Sequence, residues 1–255
     1  MTLLTEHRAG VLILTLSEPE RRNPVTPEIA AAIREQLAAA EADSETRAVL
    51  LHGADGTFSS GGDLRAMPPT DSAAADARLR TYAALVTAMA WSPLPLVCAI
   101  EGTAAGIALG VATACDLIVS ADDARFLLPF TRLGLFPDGG LLHGLTARVG
   151  AGRAKALLLL GDPVSATDAH DIGLVDRLTP PSAALETALE LTMALAARAP
   201  LSVSGIKQAF AAGTPDLATA VETERDIQGA LYFSSDFREG QRSFFDKRQP
   251  RFSGR

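Results

Sequence analysis

The chain has 255 residues, 47% of them hydrophobic and 21% charged, enough apolar material to bury a sizeable core as one domain or as a domain with a small appendage. Its formal net charge of -7 leaves no basic field to hold nucleic acid or an anionic membrane. Two cysteines inside apolar runs (Cys98, Cys115) and four scattered histidines (His7, His52, His143, His170) argue against a disulfide framework and offer no metal-ligand spacing.

Glu6 and Arg8 precede a short apolar run over residues 11–14, too brief for a signal peptide or a membrane span, so the expected address is the cytoplasm. Leu12, Leu14 and Leu16 alternate with Ile13 and Thr15 up to Ser17-Glu18-Pro19, which predicts a strand and then a turn. Thr26-Pro27-Glu28 has the form of an N-cap with proline at the first helical position, opening an Ala-rich helix to about Ala42. Residues 47–52 read as a buried strand. Residues 70–77, rich in Ala, Asp and Ser, are expected to form a mobile loop.

Residues 95–100, 116–120 and 125–128 read as further short strands, with Gly102-Thr103-Ala104-Ala105-Gly106 between the first two running into a helix of small residues. Strands separated by helices and irregular loops indicate an α/β protein. From Arg148 onward the pattern is helical except at 173–176, with boundaries at Pro180-Pro181 and Pro200. The Ala-rich, charge-bearing helices after Leu201 read as a separate C-terminal layer.

Two glycine segments carry the chemistry. Phe58-Ser59-Ser60-Gly61-Gly62-Asp63-Leu64 follows one strand, and Gly102 to Ile107 follows another and opens a helix. Glycine permits tight backbone paths beside a ligand, and the first N–H groups of a helix lack an internal partner. Two such donors aimed at one point polarise a thioester carbonyl and hold the charge that develops when the neighbouring carbon loses a proton. Neither segment has the phosphate-loop or Gly-x-Gly-x-x-Gly pattern.

Together and in this order the segments resemble the enoyl-CoA hydratase/isomerase (crotonase) family. The likeness extends through Arg21-Arg22-Asn23-Pro24, Ala114-Cys115-Asp116, Gly134-Leu135, Ser165-Ala166, Gly173-Leu174-Val175 and the stretch from Asp236 to Phe252. The resemblance implies an α/β crotonase spiral of ββα units over residues 1–195, with a helical trimerisation layer over 196–255. It also implies an acyl-CoA substrate, a homotrimer or a hexamer of paired trimers, no nucleic-acid or membrane partner, no metal, and no cofactor beyond the coenzyme A moiety of the substrate.

Carried over by position, the resemblance places the oxyanion donors at the backbone N–H of Gly62 and of Ile107. The second departs from the usual glycine, but any residue except proline supplies the N–H. The binding set it implies is Arg22, Gly62, Asp63, Leu64, Arg65, Gly106, Phe130 and Lys247, with Arg22, Arg65 and Lys247 as the cations for the CoA phosphates. Glu101 stands where the family often has asparagine.

The two glutamates that family hydratases share fall, by the same carry-over, at Gly110 and Phe130, neither of which can move a proton. Hydration needs one group to deprotonate the water and an acid for the α-carbon, so plain hydratase chemistry is disfavoured. Asp138, in Leu135-Phe136-Pro137-Asp138-Gly139-Gly140, matches where family isomerases resemble one another in placing an aspartate. Isomerisation needs one base that takes a proton from one carbon and returns it to another. Asp138 also has an ordinary reading, as the N-cap of a helix from Gly139 through Val149. Its apolar neighbours Phe130, Phe136, Leu141 and Leu142 favour a raised carboxyl pKa.

The expected activity is therefore double-bond or ring isomerisation of an acyl-CoA. Hydration or thioester hydrolysis is the alternative, and a non-catalytic acyl-CoA-binding scaffold is the alternative of another class. Asp63 is expected to fix its loop through backbone N–H groups, and Asp116 to be structural.

Overall fold

The computed structural model describes residues 2–67 and 70–255. A hairpin opens the fold: strand β1 (Thr2–Arg8) pairs antiparallel with β2 (Val11–Ser17) across Ala9-Gly10, both left-handed (φ 49° and 79°), the backbone that a two-residue hairpin turn demands. β1 is largely exposed and polar, which is why it carries no hydrophobic signal.

Helix α1 (Pro27–Ala42) begins where expected, with Thr26 Oγ1 accepting the Ile29 N–H. After β3 (Ala48–Gly53) comes α2 (Ser72–Trp91), which corrects the expected loop over 70–77. Asp71 accepts the Ala74 N–H at 2.8 Å, and the Ala-rich stretch that suggested mobility is a good helix former once capped. Strand β4 (Leu96–Ile100), β5 (Thr103–Ala105), α3 (Ile107–Thr113), β6 (Leu117–Ala121) and β7 (Arg125–Leu127) follow the expected order.

Beyond these lie α4 (Leu141–Val149), α5 (Ala151–Leu160), β8 (Val164–Ser165), α6 (Ala166–Asp171) and β9 (Arg177–Thr179), the last an unanticipated short strand just after the non-helical segment 173–176. Helices α7 (Ala184–Ala196), α8 (Pro200–Ala211), α9 (Leu217–Leu231) and α10 (Ser235–Asp246) complete the chain. Among the described residues no helix is long and apolar enough to cross a membrane.

The main sheet has the order β1-β2-β3-β4-β6-β9, parallel from β2 onward, and a small sheet joins β5, β7 and β8. Side chains of parallel strands alternate between two covered faces, so the apolar runs in β2, β3 and β4 are continuous. Leu12, Leu14, Val49, Leu51, Cys98 and Ile100 pack toward Ile33, Leu37, Leu85 and Met89 of α1 and α2. Val11, Ile13, Leu50, Val97 and Val119 form a second core closed by Ala184 and Ala188 of α7. Each fully buried Leu or Ile contributes roughly 1.5–3 kcal/mol before entropy is counted. Both cysteines are free and buried, and burial pushes the Cys98 thiol up.

Candidate active site

The two glycine segments are stitched side by side by short-range strand pairing. The Phe58 N–H donates to the Glu101 carbonyl at 2.8 Å, Ser59 N–H to Thr103 O at 2.9 Å, and Ala105 N–H to Ser59 O at 3.1 Å. Gly61 then turns with φ +88°, its N–H on Ser59 Oγ at 3.1 Å, so close to β5 that a Cβ would stand 2.5 Å from the Ala105 carbonyl oxygen. Only glycine meets both demands.

Gly106, with φ 51° and ψ -123°, donates to Leu127 O at 2.9 Å and bends the chain from β5 into α3, leaving Ile107 as the first helical residue. Among the described residues neither the Gly62 nor the Ile107 N–H has an acceptor. A Cβ on Gly62 would stand 3.8 Å from Ile107 Cγ2, so the two residues that carry these N–H groups are neighbours. Fixed donors of this kind, paid for in folding, are suited to a developing oxyanion.

Asp138 lies on the loop between a 3₁₀ turn at Thr131–Leu133 and α4. The expected helix from Gly139 is corrected: α4 starts at Leu141, its N-cap is the left-handed Gly140 (φ 76°), and no side chain caps it. Gly139 is left-handed too (φ 62°), and consecutive residues of that kind break the helical path. The carboxylate of Asp138 is thus released from capping. Burial pushes its pKa above the usual carboxylate range, against the opposing pull of its own backbone N–H and of the Arg78 charge.

Gly139 rests against the δ-methyl of Ile107, which occupies the space a Cβ would need, and this contact sets the Asp138 loop beside the start of α3. The same loop explains Gly110: a Cβ there would collide with the Gly139 carbonyl oxygen and stand 3.1 Å from Gly139 Cα. A glutamate has no room at 110. At the other carried-over position the buried Phe130 ring approaches Gly106, Cζ lying 4.0 Å from where a Cβ would be.

The expected binding residues fall into two groups. Arg22, Asp63, Leu64 and Arg65 rim the Gly62 loop: the Arg22 carbonyl accepts the Ser60 N–H at 2.8 Å, and Asp63 Oδ1 accepts the Arg65 N–H at 3.0 Å. Asp63 also pairs with Arg21, and these contacts, the Arg65 N–H first, hold its carboxyl below the usual range. The side chains of Arg22, Leu64 and Arg65 are exposed. Lys247, the left-handed C-cap of α10, has no hydrogen bond or ion pair to either glycine segment among the described residues.

Arg78 and Tyr82 of α2 were not among the expected site residues. An Nη of Arg78 would meet a Cβ on Gly62 at 3.4 Å, and its guanidinium carbon lies 5.2 Å from the Tyr82 ring centroid. The buried Tyr82 hydroxyl donates to Val25 O at 2.9 Å, Val25 N–H donates to Gly61 O at 2.7 Å, and burial pushes the phenol up to about 12. The Ala-, Asp- and Ser-rich start of α2, which suits a loop equally well, masks the helix that presents them. The Arg78/Tyr82 spacing of four, one helical turn, was the available signal.

An α/β fold that sets two N–H donors, without acceptors among the described residues, near a loop carrying a partly buried carboxylate is an arrangement suited to holding a developing oxyanion. The sequence profile of the enoyl-CoA hydratase/isomerase family matches residues 6–255, and the chain belongs to that family. It is 37% identical to the 1,2-epoxyphenylacetyl-CoA isomerase of Escherichia coli (strain K12), over 99% of this chain and 98% of the relative. It is 32% identical to the 2,3-dehydroadipyl-CoA hydratase of the same organism, over 99% of each. Among solved structures, the enoyl-CoA hydratase from Polaromonas sp. JS666 superposes with a TM-score of 0.93 at 34% identity, covering 98% of this chain and 99% of that one. The fold is the crotonase fold expected from the glycine segments.

Proposed function

We propose that the protein isomerises an acyl-CoA, moving a double bond or rearranging a ring, with Asp138 as the proton shuttle. The thioester oxygen accepts the Gly62 and Ile107 N–H groups. Ionised Asp138 removes a proton from a carbon conjugated with the thioester, the electron pair delocalises onto the oxygen, and the neutral acid returns the proton to another carbon of the conjugated system. Burial makes the neutral acid accessible, so one group serves both half-steps.

The observation that carries this reading is that Asp138 is a carboxylate whose pKa is raised by burial, on a loop that fills the space a glutamate at 110 would occupy. The test is Asp138→Asn on a panel of 3-enoyl-CoA and epoxide-bearing acyl-CoA substrates. Loss of about 10²–10⁴-fold in kcat is expected, and full turnover on every substrate the wild type isomerises would overturn the assignment.

A second reading, hydration of an enoyl-CoA, draws on the 32% identity to a protein named as a hydratase. Crotonyl-CoA separates the two: a 3-hydroxyacyl product at a useful rate favours hydration, and binding without turnover across the panel favours a non-catalytic scaffold. For the assembly we infer a trimer or a pair of trimers, supported by the exposed Phe210, Leu217, Phe233, Phe244 and Phe245 on and between the C-terminal helices. Light scattering on the purified protein reads it directly.

A further inference from the structure

Arg78 brings to the site a positive charge that has no ion-pair partner among the described residues. It stands on the second turn of α2, partly buried, with its guanidinium over Tyr82 and an Nη against Gly62. Among the described residues no carboxylate lies within 4 Å of it. The acids of its surroundings are otherwise engaged or too far to pair: Asp71 caps α2, Asp76 pairs with Arg80, and Asp63 pairs with Arg21. Asp138 and Glu28 sense the Arg78 charge without contacting it.

A partly desolvated guanidinium without an anion is unfavourable, and its planar fork matches a carboxylate in two parallel hydrogen bonds. An acyl chain whose thioester oxygen sat on the Gly62 N–H would begin beside this guanidinium, since an Nη of Arg78 lies 3.4 Å from where a Cβ of Gly62 would be. We propose that Arg78 is a subsite for a second, free carboxylate on the acyl group, so that the ligands preferred here are CoA thioesters of short dicarboxylic acids.

This rests on the proposed placement of the thioester at Gly62 and Ile107, but not on the reaction. Saturated thioesters therefore test it, since they bind without isomerising. Calorimetric titration of the full chain with adipyl-CoA and hexanoyl-CoA, and with succinyl-CoA and butyryl-CoA, compares ligands that differ in the terminal carboxylate. In the wild type, at least one diacid thioester should bind roughly tenfold tighter than its monoacid partner. In Arg78→Met the ratio should fall to near one, and in Arg78→Lys it should be intermediate.

The ratio is internal to each protein, so a partial loss of folded material in one variant does not alter it. Equal affinities in the wild type, or a ratio retained in Arg78→Met, would overturn the subsite. A loss of affinity in Arg78→Met that is equal for both members of a pair would overturn it as well, assigning Arg78 to the thioester itself. Failure to bind any of the four thioesters would sink both the subsite and the acyl-CoA placement. Full turnover by Asp138→Asn would remove the reaction and leave the subsite standing.

Discussion

Gly110 of α3 and Gly139 of the Asp138 loop are in backbone contact, with no room for a side chain at 110 and the Ile107 δ-methyl filling the space beside 139. Helix α3 and a loop some thirty residues further on are thus mutually determined: Ile107 supplies a buttress, Gly110 a gap, and Gly139 the turn that fills it. Gly110→Ala should push the loop away from α3, destabilising the fold by about 1–3 kcal/mol, as overpacking does. With the proposed placement of the thioester at Gly62, it should lower kcat more than it changes KM, because Asp138 would move relative to a substrate still held there. Thermal unfolding and steady-state kinetics measure both, and an unchanged Tm with wild-type kcat would contradict the packing.

The raised carboxyl of Asp138 sets a pH dependence with a definite sign. If the ionised form accepts the proton, kcat/KM should climb with pH through a value above the ordinary carboxylate range and then level off. Arg78 pulls that value down, so Arg78→Met should move the inflection upward. For folding, a carboxyl whose native pKa exceeds its unfolded value of about 3.9 contributes stability that is present below that unfolded value and lost as pH rises through the native one. Asp138→Asn escapes this loss. Its unfolding midpoint in urea should exceed that of the wild type at pH 7, with the difference shrinking toward pH 3.

Much of this architecture is legible in the sequence because it is written in backbone requirements. Gly61 and Gly106 are glycines for conformational reasons, so the two donor segments and their order stand out from the residues alone. The parallel strands stand out as uninterrupted apolar runs such as Val49-Leu50-Leu51. The exposed β1 does not, since its pairing comes from the Ala9-Gly10 turn and leaves no period of its own. Helix α2 is obscured because Ala, Asp and Ser at 70–77 suit a loop as well as a capped helix, and Arg78 and Tyr82 are hidden with it. Asp138 is recognisable as a candidate, but its release from capping depends on two left-handed glycines whose conformation no composition reveals.

Glu101, for which the sequence offers no interpretation, accepts the Ser182 N–H at 3.1 Å and the Ala184 N–H at 2.8 Å. It thereby ties the end of β4 to the start of α7, the helix that closes the second face of the sheet, where no residue of α7 itself supplies a cap. Glu101→Ala should cost about 0.5–2 kcal/mol, the range for losing a helix cap. Glu101→Gln, which keeps an acceptor, should recover part of it. Urea unfolding of the two variants provides the comparison, and equal stabilities would remove the capping role.

Lys207 of α8 is buried, its side chain 6% exposed, and its ammonium pairs with the Asp116 carboxylate, which also accepts the Leu96 N–H at 2.7 Å. This pair fastens the C-terminal helices to the junction of β4 and β6. The two partners differ in exposure, since Asp116 keeps a third of its side chain in solvent. Removing the acid therefore strands a buried cation, whereas removing the cation leaves an acid that retains water and a backbone donor. Asp116→Ala should destabilise by about 3 kcal/mol or more, and Lys207→Met by clearly less. The double variant should be more stable than the sum of the two losses implies, because it leaves no stranded charge. Urea unfolding gives all three values, and amide exchange should show α8 opening first in Asp116→Ala. A larger loss in Lys207→Met than in Asp116→Ala would reverse the argument.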